Sequence, residues 1–160
     1  MPTPNALPPF QALIDAHWRD VARLARALAG PVDGDDVAQR AWEKALNAYP
    51  GLTSAKNLRS WLLTITARCA TDLHRSRRPQ SPLDDDFPLT VAGPDVTDWP
   101  DPDLWKAVGA LPERQRVAVT LKYVADLDHK AVAAALDTTP AASRRLVSDA
   151  LATLRKELDQ

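Results

Sequence analysis

An all-α protein made of two small helical domains is the fold class that the sequence predicts. Apolar residues recur at the three- and four-residue spacing of amphipathic helices, and alternating strand patterns are almost absent. The helical segments form two groups, separated by a stretch rich in proline and aspartate. A chain of 160 residues is long enough for two small domains. We therefore predict an N-terminal domain over 8–79, a linker over 80–103 and a C-terminal domain over 104–160.

Three helices are predicted in the N-terminal domain. Apolar residues at helical spacing over 10–28 indicate the first, and Gly30-Pro31 ends it because this pair breaks helical geometry. The second begins at the aspartates that follow, which favour a helix N-terminus, and it runs to about Ala48, before Pro50-Gly51. The third is predicted over about 56–78, with a cationic last turn that suits a helix C-terminus.

An acidic, proline-rich linker is predicted between the two domains. Residues 79–102 hold six prolines, and residues 80–104 carry seven aspartates and no lysine or arginine. Proline removes backbone donors and resists helix formation, so we predict an extended, poorly packed segment. Fully stretched, it would reach roughly 80 Å. The formal net charge of −1 hides this strip, because residues 1–79 carry +4 and residues 105–160 carry +2.

The C-terminal domain is predicted to contain a helix-turn-helix. A short helix over about 104–111 precedes a second helix in which Pro112 takes the first helical position. Asp128 then caps a short helix, and Thr139-Pro140 reads as an N-cap and first-turn pair that opens a long one. A short helix, a tight turn and a longer helix together indicate a helix-turn-helix.

The sequence does not favour an enzyme, a metalloprotein or a membrane protein. There is no glycine-rich phosphate loop, the three histidines lack metal-ligand spacing, and we predict no cofactor and no metal. Asp84-Asp85-Asp86 fits a solvated linker better than a metal site. No apolar run reaches the roughly 18–20 residues of a membrane span, and the N-terminus does not resemble a signal peptide. We therefore expect a cytoplasmic protein, and Cys69, being the single cysteine, excludes an internal disulfide.

Two surfaces are candidates for DNA binding. Arg144 and Arg145 lie in the first turns of the long helix, where a recognition helix meets base edges and phosphates; a plain packing unit is the alternative. The third helix mixes aromatic and cationic residues, which suits melted or single-stranded DNA. The alternative is that Trp61 belongs to the core and the arginines form a solvated face. The residues of this second surface are Arg59, Trp61, Arg68, Arg75, Arg77 and Arg78.

Three stretches resemble the extracytoplasmic-function sigma factors of bacterial RNA polymerase. DGDDVAQRAWEKA at 33–45 resembles their second conserved region. LRSWLLTITARCATDLHR at 58–75 is similar to the helix that recognises and melts the minus-ten element. LPERQR at 111–116, followed by LKYV at 121–124, resembles the beginning of their fourth region. The resemblance covers roughly residues 10–79 and 104–158, and the order and spacing of the motifs make it specific.

This resemblance implies a protein that binds core RNA polymerase, directs it to a promoter and helps to open the duplex, without catalysing a reaction. Asp35, Asp36, Gln39 and Arg40 would face the clamp helices of the largest subunit, and the flap of the second-largest subunit and an anti-sigma factor are further implied partners. The loop over 53–57 resembles the pocket for a flipped base. The implied minus-ten contacts are Thr53, Ser54, Lys56, Asn57, Arg59, Trp61, Arg68, Arg75, Arg77 and Arg78. The implied minus-thirty-five contacts are Lys130, Thr139, Ser143, Arg144 and Arg145.

The chain departs from the family pattern at three places. Arg40 stands where an acid is usual, and we expect this cation to weaken core binding. Asp137 replaces the usual glycine of the helix-turn-helix, and aspartate tolerates the left-handed conformation that such a turn needs. The long helix has uncharged or acidic residues where a mostly basic run is usual, so we expect weak binding by this helix alone. Those residues are Leu146, Ser148, Asp149 and Leu151.

Two other classes of protein fit parts of the sequence. A transcriptional regulator could use the helix-turn-helix without acting as a sigma subunit, but it would not need the stretch at 33–45. An interaction module that mimics a sigma factor and only sequesters partners is the third class. Association with core polymerase and run-off transcription separate the sigma factor from the regulator, and a gel shift with a polymerase complex and forked promoter DNA tests the third class.

Overall fold

The computed structural model describes residues 7–76 and 101–159, and within these residues all regular structure is helical, with no β-strand. The predicted all-α fold class is confirmed. The predicted linker over 80–103 falls largely outside the described residues, as do Arg77 and Arg78. Its predicted end is wrong by two residues, because Pro102 and Asp103 already belong to a helix that the side chain of Asp101 caps.

The first helix, α1, spans Phe10–Ala48 and is kinked at Gly30. Gly30 adopts φ 86° and ψ 173°, a conformation that residues with a Cβ rarely take, and Pro31 follows it. The predicted break at Gly30-Pro31 is therefore present, but it separates two halves of one continuous helical segment. The halves approach closely at Gly34, where an added Cβ would lie 2.6 Å from Cγ and 2.9 Å from Cα of Arg26.

The second helix, α2, spans Leu58–Ser76 and follows a 3-10 turn at Tyr49–Gly51. The sequence predicted a start near Lys56, which is wrong by two residues because Asn57 has φ 60° and cannot continue a right-handed helix. Helices α1 and α2 pack against each other. The buried α2 residues in this contact region are Leu62, Leu63, Thr66, Ala67, Cys69, Ala70 and Leu73.

The C-terminal lobe contains α3 (Pro102–Gly109), α4 (Glu113–Tyr123), α5 (His129–Ala135) and α6 (Pro140–Leu158). Pro112 was predicted to be the first helical residue of α4, but its ψ of 145° is extended, so it precedes the helix. The predicted caps of α5 and α6 are confirmed. Asp128 accepts a hydrogen bond from the amide of Ala131 at 2.8 Å, and Thr139 accepts one from the amide of Ala142 at 3.1 Å.

The two lobes pack against each other. Helix α1 contacts α4, and α2 contacts α5. A single buried apolar cluster draws residues from both lobes, whereas a smaller cluster joins α3 to α4 and α6. The sequence carries no signal for this arrangement, because it depends on contacts between residues far apart in the chain.

Candidate nucleic-acid interface

One face of α1 presents the predicted polymerase-binding residues. Asp35, Asp36, Gln39 and Arg40 are all exposed. Their spacing of one, four and five positions puts them on one side of the helix, while Val37 and Ala41 point into the core. Asp35 Oδ1 accepts a hydrogen bond from Arg26 Nη2 at 3.1 Å, so one acid of this face already has a cationic partner.

The loop over 53–57 is held in a defined shape. Thr53, Ser54, Lys56 and Asn57 are exposed. Ser54 Oγ accepts a hydrogen bond from the backbone amide of Lys56 at 3.1 Å, and the left-handed Asn57 turns the chain into α2. The loop therefore offers four polar side chains on a bent backbone directly before the helix that carries the arginines.

Two of the predicted arginines of α2 are bound within the protein. Arg59 Nε lies 3.2 Å from Asp20 Oδ2, which ties the first turn of α2 to α1. Arg68 Nη2 donates to the carbonyl oxygen of Ala134 at 2.7 Å and to Asp137 Oδ1 at 3.0 Å. Arg75 lies seven residues after Arg68, on the same side of the helix, and is exposed.

Trp61 belongs to an aromatic group at the edge of the N-terminal core. Its ring centroid lies 6.2 Å from that of Tyr49, which in turn lies 5.3 Å from that of Phe10. Trp61 is only partly buried. The packing favours the core interpretation of this tryptophan and leaves part of its ring at the surface.

Burial also raises the pKa of the Tyr49 hydroxyl, which donates a hydrogen bond to the carbonyl oxygen of Pro8.

The helix-turn-helix is formed by α5 and α6. Asp137, in the turn between them, has φ 52°, so the left-handed conformation expected at this position is present. Arg144, Arg145 and Lys130 are exposed. Thr139 is exposed as well, and its hydroxyl is engaged in capping α6.

Ser143 corrects the predicted set of minus-thirty-five contacts. The side chain is fully buried, and its Oγ lies 3.0 Å from Nδ1 of His129. Ser143, Val147, Ala150 and Leu154 form the buried stripe of α6 at helical spacing. Ser143 therefore packs the helix-turn-helix together and does not present its hydroxyl to DNA.

His129 is a residue of this site that the sequence interpretation missed. Burial lowers its pKa, and the nearby cations Lys122 and Arg144 lower it further, against a smaller opposing effect of Asp128. The signal in the sequence that could have identified His129 is its position directly after the Asp128 cap, at the first residue of α5. The lowered pKa keeps its ring neutral near pH 7, which suits its hydrogen bond with Ser143.

Arg116 is a second missed residue. It is 5% exposed, its Nε has no hydrogen-bond partner among the described residues, and burial lowers the pKa of its guanidinium. In the sequence Arg116 stands out only as the last residue of the stretch at 111–116. Its burial shows that this stretch contributes to the core of the C-terminal lobe.

No helix within 7–76 or 101–159 is both long and apolar enough to cross a membrane. Across the same ranges, no three histidine, cysteine or acidic side chains gather in a way that could hold a metal ion. Burial raises the pKa of Cys69, which disfavours the reactive thiolate form.

Comparisons with known proteins agree with the motifs in the sequence. Residues 13–80 match the family described as Sigma-70 region 2, and residues 102–154 match Sigma-70, region 4. RNA polymerase sigma factor SigV of Bacillus subtilis (strain 168) is 26% identical over 121 residues, which are 75% of this chain and 73% of that protein.

Two solved structures share the fold of both lobes. The first is CnrH in complex with the cytosolic domain of CnrY, at 24% identity and a TM-score of 0.70, covering 94% of this chain and 87% of that one. The second is the sigma factor RpoE in complex with the anti-sigma factor NepR from Bartonella quintana, at 20% identity and a TM-score of 0.73. That match covers 94% of this chain and 96% of the other.

The two Sigma-70 matches, region 2 followed by region 4, cover both helical lobes and define a transcription-initiation protein. The chain belongs to the sigma-70 family of RNA polymerase sigma factors and, within it, to the extracytoplasmic-function type. It is an alternative sigma factor that directs promoter-specific transcription initiation.

Proposed function

We propose that the exposed face of α1 formed by Asp35, Asp36, Gln39 and Arg40 docks on the clamp helices of core RNA polymerase. The observation that carries this proposal is the presentation of four polar side chains on one side of a helix whose opposite side is anchored in the core. A rigid helix face of this kind suits a protein partner, because little conformational entropy is lost on binding.

In this proposal the N-terminal domain, over 8–79, also recognises and melts the minus-ten element. The loop over 53–57 offers polar groups to a base extruded from the stack, and α2 contributes cations and the surface part of Trp61. The masking of Arg59 by Asp20 and of Arg68 by Asp137 means that DNA would compete with ion pairs inside the protein.

The C-terminal domain, over 104–160, is proposed to recognise the minus-thirty-five element and to contact the flap of the second-largest subunit. Arg144 and Arg145 lie in the first turns of α6, the part of a recognition helix that enters the major groove. Both are exposed, and Thr139 adds a hydroxyl at the N-terminus of the same helix. These features support contacts to phosphates more strongly than contacts to particular bases.

An anti-sigma factor is a further proposed partner. The two structural relatives were solved with CnrY and with the anti-sigma factor NepR. Their shared fold with both lobes of this chain supports a protein partner of the same kind. Action on promoter DNA together with core polymerase also predicts a cytoplasmic protein.

Transcription in vitro with purified core polymerase and forked promoter DNA tests these proposals. Asp36→Arg places a second cation in the docking face and should lower the affinity for core polymerase. Asp15→Arg makes the same exchange at an exposed acid on the other half of α1 and should leave that affinity unchanged. Equal binding by Asp36→Arg and the unaltered chain would contradict the proposed docking face.

Replacing Arg40 tests the departure of the docking face from the family pattern. Arg40→Glu removes the only cation of the face and should tighten core binding about two- to fivefold, the scale of one exposed charge interaction. An equilibrium titration with labelled core polymerase measures the change. An unchanged or weaker affinity would mean that Arg40 does not oppose docking.

A further inference from the structure

Arg26 bridges the kink in α1. In a straight helix, residues 26 and 34 would lie about 12 Å apart along the axis. The kink at Gly30 instead brings Gly34 against Arg26, so that an added Cβ would lie 2.6 Å from Cγ and 2.9 Å from Cα of Arg26. The guanidinium of Arg26 reaches the next residue, Asp35, and donates to its Oδ1 through Nη2 at 3.1 Å and through Nε at 3.4 Å.

We infer that Arg26 is a positioning residue for the binding of core RNA polymerase. It fixes the angle at which the second half of α1 leaves the kink, and thereby the direction of the docking face formed by Asp35, Asp36, Gln39 and Arg40. The inference rests on the proposed function, because Arg26 has this role only if that face contacts polymerase.

Two contacts of different kinds hold the kink in one geometry. The packing of Gly34 on the backbone of Arg26 is steric, and it sets how closely the two halves of α1 approach. The hydrogen bonds to Asp35 are charge-assisted and directional, so they oppose rotation of the second half about its own axis. Gly30 supplies the bend with φ 86°, which glycine adopts without strain, and Pro31 fixes the φ angle that follows.

The first half of α1 is itself fixed to the rest of the N-terminal lobe. Val21, Leu24 and Leu28 of this half belong to the main buried cluster. Asp20 pairs with Arg59 at the start of α2, at 3.2 Å. The direction of the docking face relative to α2 is therefore decided at the kink. Because the face extends roughly 9 Å beyond residue 34, at 1.5 Å per residue, a change of the kink angle displaces its far end most.

Arg26 orients Asp35 without covering it. Both hydrogen bonds go to Oδ1, and the side chain of Asp35 remains 72% exposed. The other carboxylate oxygen can therefore meet a cation of a protein partner. The alternative role of Arg26 is to neutralise Asp35 and so to oppose docking. The two roles predict opposite results when Arg26 is removed, because a lost positioning residue weakens binding whereas a lost neutralising charge strengthens it.

Two substitutions disturb the kink in independent ways. Arg26→Met removes the cation and keeps an unbranched stem, whereas Gly34→Ala adds a Cβ where there is no room and leaves every charge in place. The matched controls are Arg19→Met, at an exposed arginine of the same half of α1, and Gly51→Ala, where an added Cβ would meet nothing within 4 Å. Circular dichroism and urea denaturation establish that each variant is folded, and an equilibrium titration with core polymerase measures the affinity of the full chain.

We expect Arg26→Met to weaken core binding about two- to fivefold, the range that an exposed ion pair allows. The loss is modest because Val37 and Ala41 also anchor the second half of α1 in the core. Gly34→Ala should weaken binding at least as much, and both controls should bind as the unaltered chain does. Tighter or unchanged binding by Arg26→Met would overturn the inference.

A second background separates positioning from a general structural role. In a chain that already carries Asp35→Ala, Arg26→Met should have no further effect on core affinity, because its bonding partner is gone. A loss of the same size in both backgrounds would overturn the inference, since Arg26 would then not act through Asp35. Should Gly34→Ala fail to fold, Arg26→Met and this comparison decide the question.

Asp36→Arg distinguishes failure of the inference from failure of the proposed function. Weaker core binding by Asp36→Arg, together with unchanged binding by Arg26→Met, would contradict the positioning role alone. Unchanged binding by both would mean that this face of α1 does not dock on polymerase, and the positioning role would fall with it.

Discussion

Helices α2 and α6 are both 19 residues long, and both are proposed to contact DNA, yet they hold their arginines differently. In α2, Arg59 and Arg68 are paired with Asp20 and Asp137. In α6, Arg144 and Arg145 are exposed and form no ion pair among the described residues. Cations that the protein has already paired contribute less to binding phosphates, because the internal partner must first be displaced. Helix α2 therefore presents a masked surface, on which Arg59 and Arg68 already have acidic partners, and α6 presents an open surface, on which Arg144 and Arg145 do not.

The largest expected effect comes from the core beneath the masked helix. Leu62 in α2 is 1% exposed, so Leu62→Ala should destabilise the protein by about 2–5 kcal/mol through lost burial and the cavity left behind. Leu46→Ala, at a leucine of α1 that is 54% exposed, is the control and should cost far less. Urea denaturation measures both. Equal losses would mean that α2 is not anchored as the structure has it.

The open surface of α6 should dominate the electrostatic part of promoter binding. Arg144→Ala combined with Arg145→Ala should weaken binding and reduce the slope of log affinity against log salt by about two, one unit for each lost phosphate contact. Arg155→Ala combined with Lys156→Ala removes the same charge from the far end of the helix and should change the slope less. If the slope stays the same in the first variant, these two arginines do not contact phosphates.

In the first turn of α2, one substitution can remove the acidic partner of Arg59. Asp20→Asn removes the charge that pairs with Arg59, which should cost about 0–1 kcal/mol of stability because both groups are partly exposed. The same change should strengthen binding to single-stranded minus-ten DNA modestly, since Arg59 is then available to phosphate. Asp15→Asn, elsewhere on α1, is the control. Weaker DNA binding by Asp20→Asn would show that Asp20 positions Arg59 instead of masking it.

The smallest expected effect is a pH dependence of the C-terminal lobe. Because burial and two neighbouring cations lower the pKa of His129 below its usual 6.5, the unfolded chain takes up the proton first as the pH falls. Stability should therefore be at its full value above about pH 6.5 and decline as the pH falls below it. Thermal unfolding between about pH 7.5 and 5.5 measures this, and His129→Gln should reduce the decline. An unchanged decline in His129→Gln would assign it to other groups.

Both lobes could be predicted from the sequence to the extent that local signals define them. Gly30 breaks α1 where expected, and Asp128 and Thr139 cap the helices that they were predicted to cap. These features depend on residues within one turn of each other, so the local sequence contains the information needed to predict them. The errors at Pro112 and at the start of α2 are of one or two residues, and they reflect backbone angles at the boundaries.

The DNA-contact residues are harder to predict from the sequence than the helices are. Arg144 and Arg145 were predicted at the surface and lie there, because they stand off the apolar stripe of an amphipathic helix. Ser143 was assigned to DNA and is buried, since a small polar residue at the stripe spacing can be either a contact residue or a packing residue. Only its neighbour His129, which lies on another helix, settles that choice.

The sequence alone determined most of the helices, the break at Gly30, the caps at Asp128 and Thr139 and the exposure of Arg144 and Arg145, because each of these follows from residues a few positions apart. The tertiary structure decided which charges are paired and which helices touch. The bond between Arg68 and Asp137 joins residues 69 positions apart, and the close approach of Gly34 to Arg26 depends on how α1 bends. Such contacts arise from the folding of the chain in space, which no local pattern of residues records.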